Sequence, residues 1–142
     1  MKLYLASWFG NRAMLRPIAD TLVERGHSIV SRWALSKDER PDGEEVVEFW
    51  DKWAVIDVED LEACEVLVLC TFGCNESRGG MRFEEGYCYH AKKPIVVVGP
   101  RQIIFDRLKD VHYCNTWDEC YKVLEILEKI DPRTGIAPLT AW

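Results

Sequence analysis

The sequence predicts a single α/β domain built on a five-stranded parallel sheet flanked by helices. Short apolar segments bounded by polar or turn residues alternate with segments whose apolar residues recur every three or four positions. Such alternation is typical of parallel sheets, because each helix returns the chain across the sheet before the next strand begins. The chain has 142 residues, which is enough for one domain with a sizeable core.

Five segments are predicted to be strands because they are continuously apolar or alternate apolar with polar residues. They cover residues 2–7, 27–33, 65–71, 94–99 and 111–115. Apolar residues at helical spacing predict helices over 11–25, 44–63, 81–92 and 117–130, with a short turn at 103–109. We assign residues 1–131 to the domain and 132–142 to a C-terminal tail.

Right-handed crossovers between these elements favour the flavodoxin-like strand order 2-1-3-4-5. Sheets of this kind bind ligands at the carboxyl ends of their strands, where the order reverses. The segments after strand one and strand three are therefore expected to line one crevice. The polar loop 36–43 is long enough to act as a lid or specificity loop.

Composition excludes several kinds of partner. The net charge of −6 argues against a nucleic-acid backbone or an anionic membrane. No apolar run approaches the roughly 18 residues that span a bilayer. Residues 1–7 read as a strand rather than a signal segment, so we expect a cytoplasmic protein.

Cysteine and glycine patterns indicate neither a metal nor a cofactor. None of the six cysteines forms a C-x-x-C pair, and we expect free structural thiols and no metal site. The chain also lacks the G-x-x-x-x-G-K-[ST] loop of nucleoside triphosphatases and the G-x-G-x-x-G loop of dinucleotide-binding domains.

Two glutamates, Glu84 and Glu85, follow a pair of glycines near the start of the third long helix. Carboxylates near a helix N-terminus stabilise the helix dipole, which is the simplest explanation for both. The same position lies at the carboxyl edge of the predicted sheet, where Gly79 and Gly80 let the backbone approach a ligand. Successive helical residues point about 100° apart, so at most one glutamate faces a pocket squarely.

Three further side chains are candidates for catalysis or its support. Asp57 lies between apolar neighbours on the second long helix, whereas Asp60 is expected at the surface. A carboxylate near a second carboxylate has a raised pKa, which suits a general acid. A tyrosine within a strand, such as Tyr4, more often belongs to the core than to a catalytic site. If the Tyr4 hydroxyl reaches Glu84, however, it would orient that carboxylate by a hydrogen bond.

Two other groups are candidates for substrate binding. Trp8 and Phe9, after strand one, are suited either to the core or to sandwiching a flat heterocycle. Arg78, beside two glycines, is suited to clamping an anion such as phosphate.

Taken together, these positions resemble the nucleoside 2-deoxyribosyltransferase family from strand one to about residue 115. The family's E-x-G-Y signature is matched by residues 84–87, and its lysine–proline and apolar strand by 93–98. Residues 3–9 are similar to the family's opening strand and loop. Asp57 matches an aspartate that lies eight residues before the acidic residue heading strand three, here Glu65.

The resemblance implies a double displacement at the anomeric carbon of a 2′-deoxynucleoside. Glu84 would attack C1′ and form a deoxyribosyl ester, Asp57 would exchange a proton with the departing and incoming bases, and Tyr4 would hold Glu84. It also implies a nucleoside or nucleotide substrate, a nucleobase acceptor, no cofactor and a homo-oligomer. We expect substrate contacts from Ser7, Trp8, Phe9, Ser77, Arg78, Gly79, Gly80 and Tyr87.

One position departs from the family and leaves the reaction open. Six residues before the nucleophile the transferases carry an aspartate, and the related 2′-deoxynucleoside 5′-phosphate N-hydrolases carry a serine of the phosphate site; this chain has Arg78. Transfer between bases and hydrolysis of a 5′-monophosphate both remain candidates, as do a non-catalytic nucleotide-binding module and a NAD-cleaving enzyme. The tail, which ends in an apolar segment, is a candidate to dock on this subunit or a neighbour.

Overall fold

The computed structural model describes residues 1–74 and 79–130. This part of the chain forms a five-stranded sheet of parallel neighbours in the order β2-β1-β3-β4-β5, which confirms the predicted fold class and order. The strands are β1 (Lys2–Ala6), β2 (Ser28–Ile29), β3 (Val66–Cys70), β4 (Ile95–Val98) and β5 (Val111–Cys114). The α-helices are α1 (Arg12–Glu24), α2 (Arg32–Leu35), α3 (Glu45–Ala63), α4 (Gly80–His90) and α5 (Trp117–Lys129), with 3-10 turns at Phe9–Asn11 and Ile104–Arg107.

The centre of the sheet forms the hydrophobic core. Every residue of β3 and β4 is buried, as their continuously apolar sequences predict for strands covered on both faces. The register aligns Leu5 with Val68, Val68 with Val96, and Val96 with His112. The carboxyl ends of β1 and β3 therefore lie side by side, where the strand order reverses.

The prediction for the second strand was wrong in its second half. The strand covers only Ser28–Ile29, and residues 32–35 form α2 instead. The Ser31 hydroxyl accepts the Leu5 backbone N–H at 2.9 Å, so a side chain takes the place of the ladder partner there. Pairing with β1 therefore ends early, and the chain turns into a helix.

A buried carboxylate from α3 stabilises the start of α2. Asp60 accepts the Arg32 backbone N–H at 2.8 Å and pairs with the Arg32 Nε at 2.8 Å. Asp60 is only 5% exposed, so the expectation that it lies at the surface was wrong. The pairing joins residues 28 positions apart, and local sequence patterns do not show such a contact.

The bend after β4 requires glycine, which gives a test of the fold. Gly99 has a φ of +113°, and a Cβ there would lie 2.6 Å from Thr71 Oγ1 and 3.0 Å from the Phe72 backbone nitrogen. We expect Gly99→Ala to lower the free energy of unfolding by about 2 to 4 kcal/mol, measured by urea denaturation. Gly86→Ala is the matched control, because a Cβ at this α4 position meets nothing within 4 Å. The control is expected to be neutral or stabilising, and equal midpoints for both variants would contradict this assignment.

The described helices include none that is both long and apolar enough to span a membrane. All six cysteines are buried and free, as predicted. Within residues 1–74 and 79–130, no group of three or more histidine, cysteine or acidic side chains is placed to hold a metal ion.

Candidate active site

A cavity of about 580 Å³ opens at the carboxyl end of β1. Its walls come from the segment after β1, from α2 and the loop that follows, from α3 and from the first turns of α4. This is the edge of the sheet at which the strand order reverses, as the sequence predicted.

Glu84 lines this cavity from α4 and is held by a tyrosine from β1. The Tyr4 hydroxyl donates a hydrogen bond to Glu84 Oε1 at 2.8 Å, across 80 residues of sequence. Tyr4 is completely buried, so its ring is fixed by the sheet and its hydroxyl fixes the carboxylate. The neighbouring Glu85 is not among the lining residues; it pairs with Arg82 at 2.8 Å instead.

Asp57 supplies a second carboxylate to the same cavity from α3. Burial, with a further contribution from the charge of Asp60, raises the pKa of Asp57 to about 7. Burial likewise raises the pKa of Glu84 to about 8, although the hydrogen bond from Tyr4 opposes the rise. Burial and the charges of both carboxylates raise the pKa of Tyr4, so its hydroxyl stays protonated and remains a donor.

The Tyr4 hydrogen bond can be tested by titration. Tyr4→Phe removes the donor that favours the ionised carboxylate, so the pKa of Glu84 is expected to rise by roughly one further unit. The measurement is a carbon-detected NMR titration of the glutamate side chains. Tyr113→Phe is the control, because the Tyr113 hydroxyl bonds Asn115, away from the cavity. An unchanged Glu84 titration in Tyr4→Phe would show that the hydroxyl does not tune this carboxylate.

Aromatic side chains form most of the cavity's apolar wall. Phe9 lies 6.4 Å from Trp33 and 6.2 Å from Phe49, ring centroid to centroid, and Phe49 lies 6.3 Å from Trp53. Such walls suit a flat heterocycle or the face of a sugar. The aromatic lining residues are Trp8, Phe9, Trp33, Phe49, Trp50 and Trp53.

Trp8 and Phe9 were predicted from the sequence as site residues, whereas the other four aromatic residues were not. A signal for three of them was present, because Phe49, Trp50 and Trp53 precede Asp57 by eight, seven and four residues, which places them near its helical face. No comparable signal marked Trp33, which lies on the unpredicted helix α2. Its indole N–H donates to the Leu5 carbonyl at 2.9 Å.

Two of the predicted substrate-contact residues that follow β1, Ser7 and Trp8, differ in their surroundings. The Ser7 hydroxyl donates to the Cys70 carbonyl and accepts from Asn11 Nδ2, both at 2.9 Å, so it joins the ends of β1 and β3 while lining the cavity. Trp8 is half-exposed, and its ring covers Gly10 so closely that a Cβ there would lie 2.5 Å from the ring. Glycine at this position lets the indole lie flat against the backbone.

The remaining predicted contacts are only partly at the cavity. Gly80 lines it, whereas Gly79 and Tyr87 are not among its lining residues. Gly79 precedes α4 with a φ of +92°, and Tyr87 packs partly buried against the hydrophobic core. Ser77, Arg78 and the tail 132–142 lie outside the described residues.

The loop predicted as a lid lies beside the cavity and contributes Glu39 and Arg40 to its lining. The Arg12 guanidinium donates to the carbonyls of Ser36 at 3.0 Å and Asp38 at 2.7 Å. Lys52 of α3 pairs with the Asp38 carboxylate at 2.9 Å. The loop is thus held from α1 and from α3.

Comparisons with known proteins identify the fold. No protein-family model matches the sequence, and no curated protein matches it either. The structure is similar to that of a 2-deoxyribosyltransferase from Bacillus psychrosaccharolyticus, with a TM-score of 0.62 and 22% identity over 97% of this chain and 98% of that one. It is also similar to a CMP N-glycosidase from Clostridium botulinum, with a TM-score of 0.58 and 18% identity over 89% of this chain and 99% of that one. At these identities the likeness establishes a common fold.

Proposed function

We propose that this protein cleaves the N-glycosidic bond of a 2′-deoxynucleoside and transfers the sugar to another base through an ester on Glu84. The observation that carries the proposal is the Glu84 carboxylate, bonded to Tyr4 at 2.8 Å inside an aromatic cavity that also contains Asp57. The sequence resemblance and the names of the two structural neighbours, a 2-deoxyribosyltransferase and a CMP N-glycosidase, support it.

In the first step Glu84 Oε attacks C1′ and the C1′–N bond breaks. The bonding electrons go to the base, which takes a proton from Asp57 and leaves as the neutral heterocycle. The transition state resembles an oxocarbenium ion, and an adjacent carboxylate both stabilises and traps it. A 2′-deoxy sugar ionises more readily than a ribo sugar, since it lacks the electron-withdrawing hydroxyl.

In the second step a nitrogen of the acceptor base attacks C1′ and gives its proton to Asp57. The ester bond breaks, its electrons return to Glu84, and the new nucleoside leaves. A pKa of about 7 suits Asp57 to both proton transfers near neutral pH. Tyr4 keeps its proton throughout and orients Glu84 by hydrogen bonding.

A hydrolytic version of this reaction on a 5′-monophosphate is the second candidate. Arg40 is an exposed cation at the cavity lining and would suit a phosphate, and one structural neighbour is a CMP N-glycosidase. Water would then take the place of the acceptor base in the second step.

The two candidates are separated by incubating the protein with deoxynucleosides and with deoxynucleoside 5′-monophosphates, each with and without an acceptor base. Base exchange without net loss of glycoside supports transfer. Release of free sugar phosphate supports hydrolysis. Stable binding of either ligand with no turnover would overturn both in favour of a nucleotide-binding module.

A further inference from the structure

Two residues that line the cavity each have a buried polar atom without a hydrogen-bond partner. Among the described residues, the buried side-chain atoms without a hydrogen bond are Trp53 Nε1, Asp57 Oδ1, Arg82 Nε and Glu85 Oε1. The last two belong to an ion pair whose other atoms are bonded. Trp53 and Asp57 instead line the cavity from α3. An unpaired buried polar atom destabilises a fold, and a ligand that supplies the partner explains its presence.

The Trp53 indole differs from the other tryptophans of the cavity. The Trp33 N–H is bonded to the Leu5 carbonyl, and the Trp8 and Trp50 side chains are half-exposed to water. The centroid of the Trp53 ring lies 6.3 Å from the Phe49 centroid and 5.3 Å from the Lys52 ammonium. Only the Trp53 indole nitrogen, of these four, is both buried and unbonded.

Trp53 and Asp57 are four residues apart on one helix, so their Cβ atoms lie about 5 to 6 Å from each other on the same face. An indole nitrogen can only donate a hydrogen bond, and a protonated carboxyl also donates one. The pair can therefore present two neighbouring donors to the edge of a base.

Nucleobases differ in what they offer to two donors. A 6-oxopurine presents two adjacent acceptors, N7 and O6, whereas adenine presents the N7 acceptor beside an amino donor. We infer that the Trp53 indole N–H is a specificity-determining donor that selects 6-oxopurines over 6-aminopurines, by bonding O6 while Asp57 protonates N7. The inference rests on the proposed cleavage of a nucleoside. With adenine, two N–H groups would face each other and both would lose their partners.

The unmodified protein tests this inference first. We expect kcat/KM to fall in the order 2′-deoxyinosine, purine 2′-deoxynucleoside without a 6-substituent, 2′-deoxyadenosine, with roughly 10-fold or more between the first and the last. Trp53→Phe is expected to bring the ratio of the first to the last close to one. Trp50→Phe, which removes the indole N–H of a half-exposed tryptophan in the same cavity, is expected to keep the ratio.

Three results would overturn the inference: no preference for the 6-oxopurine in the unmodified protein, an unchanged ratio in Trp53→Phe, or an equal loss of preference in Trp50→Phe. Calorimetric binding of free hypoxanthine and adenine separates this question from the proposed function. If no nucleoside is cleaved, the proposed function fails, but tighter binding of hypoxanthine that Trp53→Phe abolishes would still support the donor role. Equal binding of the two bases would refute it.

Discussion

Glu84→Ala is expected to lower kcat by roughly 10⁴-fold or more, because the covalent step then has no nucleophile. The only other carboxylate that the described cavity brings near Tyr4 is Asp57, and the mechanism already uses Asp57 for the proton. The measurement is base exchange under single-turnover conditions, which excludes an effect on product release. Unfolding midpoints of both proteins are compared alongside.

Glu85→Gln is the matched control for this prediction. Glu85 is the adjacent residue on α4, but its carboxylate pairs with Arg82 and does not line the cavity. We expect the control to retain turnover within about 10-fold of the unmodified protein, since the Glu85 side chain is engaged by Arg82 and does not line the cavity. Near-native turnover in Glu84→Ala would exclude the proposed mechanism.

Asp57→Asn is expected to lower kcat/KM by roughly 10² to 10⁴-fold, the usual contribution of a general acid. The loss should shrink for nucleosides whose base leaves readily without protonation, because those substrates need the proton least. The rate of base release, measured across a series of such leaving groups, therefore distinguishes a lost proton donor from damaged binding. An equal loss for every base would contradict the role of Asp57.

The same variant should change the pH profile. Activity requires Glu84 ionised and Asp57 protonated. The ionised fraction of Glu84 falls as pH drops below its pKa, and the protonated fraction of Asp57 falls as pH rises above its pKa. Because the pKa values of Glu84, about 8, and of Asp57, about 7, lie close together, activity is expected to peak in the range between them. Glu84 and Asp57 interact, so the two apparent pKa values of this bell-shaped pH profile belong to the pair and not to either residue alone.

Asp57→Asn is expected to remove the fall in activity at alkaline pH, because asparagine has no acidic proton to lose in that range. It also removes a negative charge that raises the pKa of Glu84, so the remaining acid limb is expected to report a Glu84 pKa below about 8. A profile that keeps its alkaline limb in the variant would show that another group carries the proton.

Sequence patterns were sufficient for the sheet because its central strands are apolar throughout. Strands covered by helices on both faces have this signature, and β3 and β4 lie as predicted. The same patterns failed at residues 32–35, where Ser31 and Asp60 replace strand pairing with side-chain hydrogen bonds. Those contacts join distant residues, so neither periodicity nor propensity reports them.

The two carboxylates of the candidate site, Glu84 and Asp57, were predicted from the sequence, whereas its aromatic wall was predicted only in part. Tyr4 and Glu84 are 80 residues apart, so the sequence offered their contact only as a possibility, which the family resemblance favoured. Helical spacing places Phe49 and Trp53 near the face of Asp57, but aromatic residues at this spacing are equally typical of a helix face buried in a core. Trp33 depends on α2, so the error in the second strand also hid part of the cavity.

The central claim is that the Glu84 carboxylate bonds to the anomeric carbon, and trapping that ester tests it most directly. The protein is incubated with a 2′-fluorinated arabinonucleoside, whose fluorine slows turnover of the ester by destabilising the oxocarbenium ion, and its mass is measured intact and after digestion. The account predicts an added fluoropentosyl group on the peptide that carries Glu84, absent from Glu84→Ala and removed by an acceptor base. Base release without any adduct, or an adduct on another residue, would contradict it.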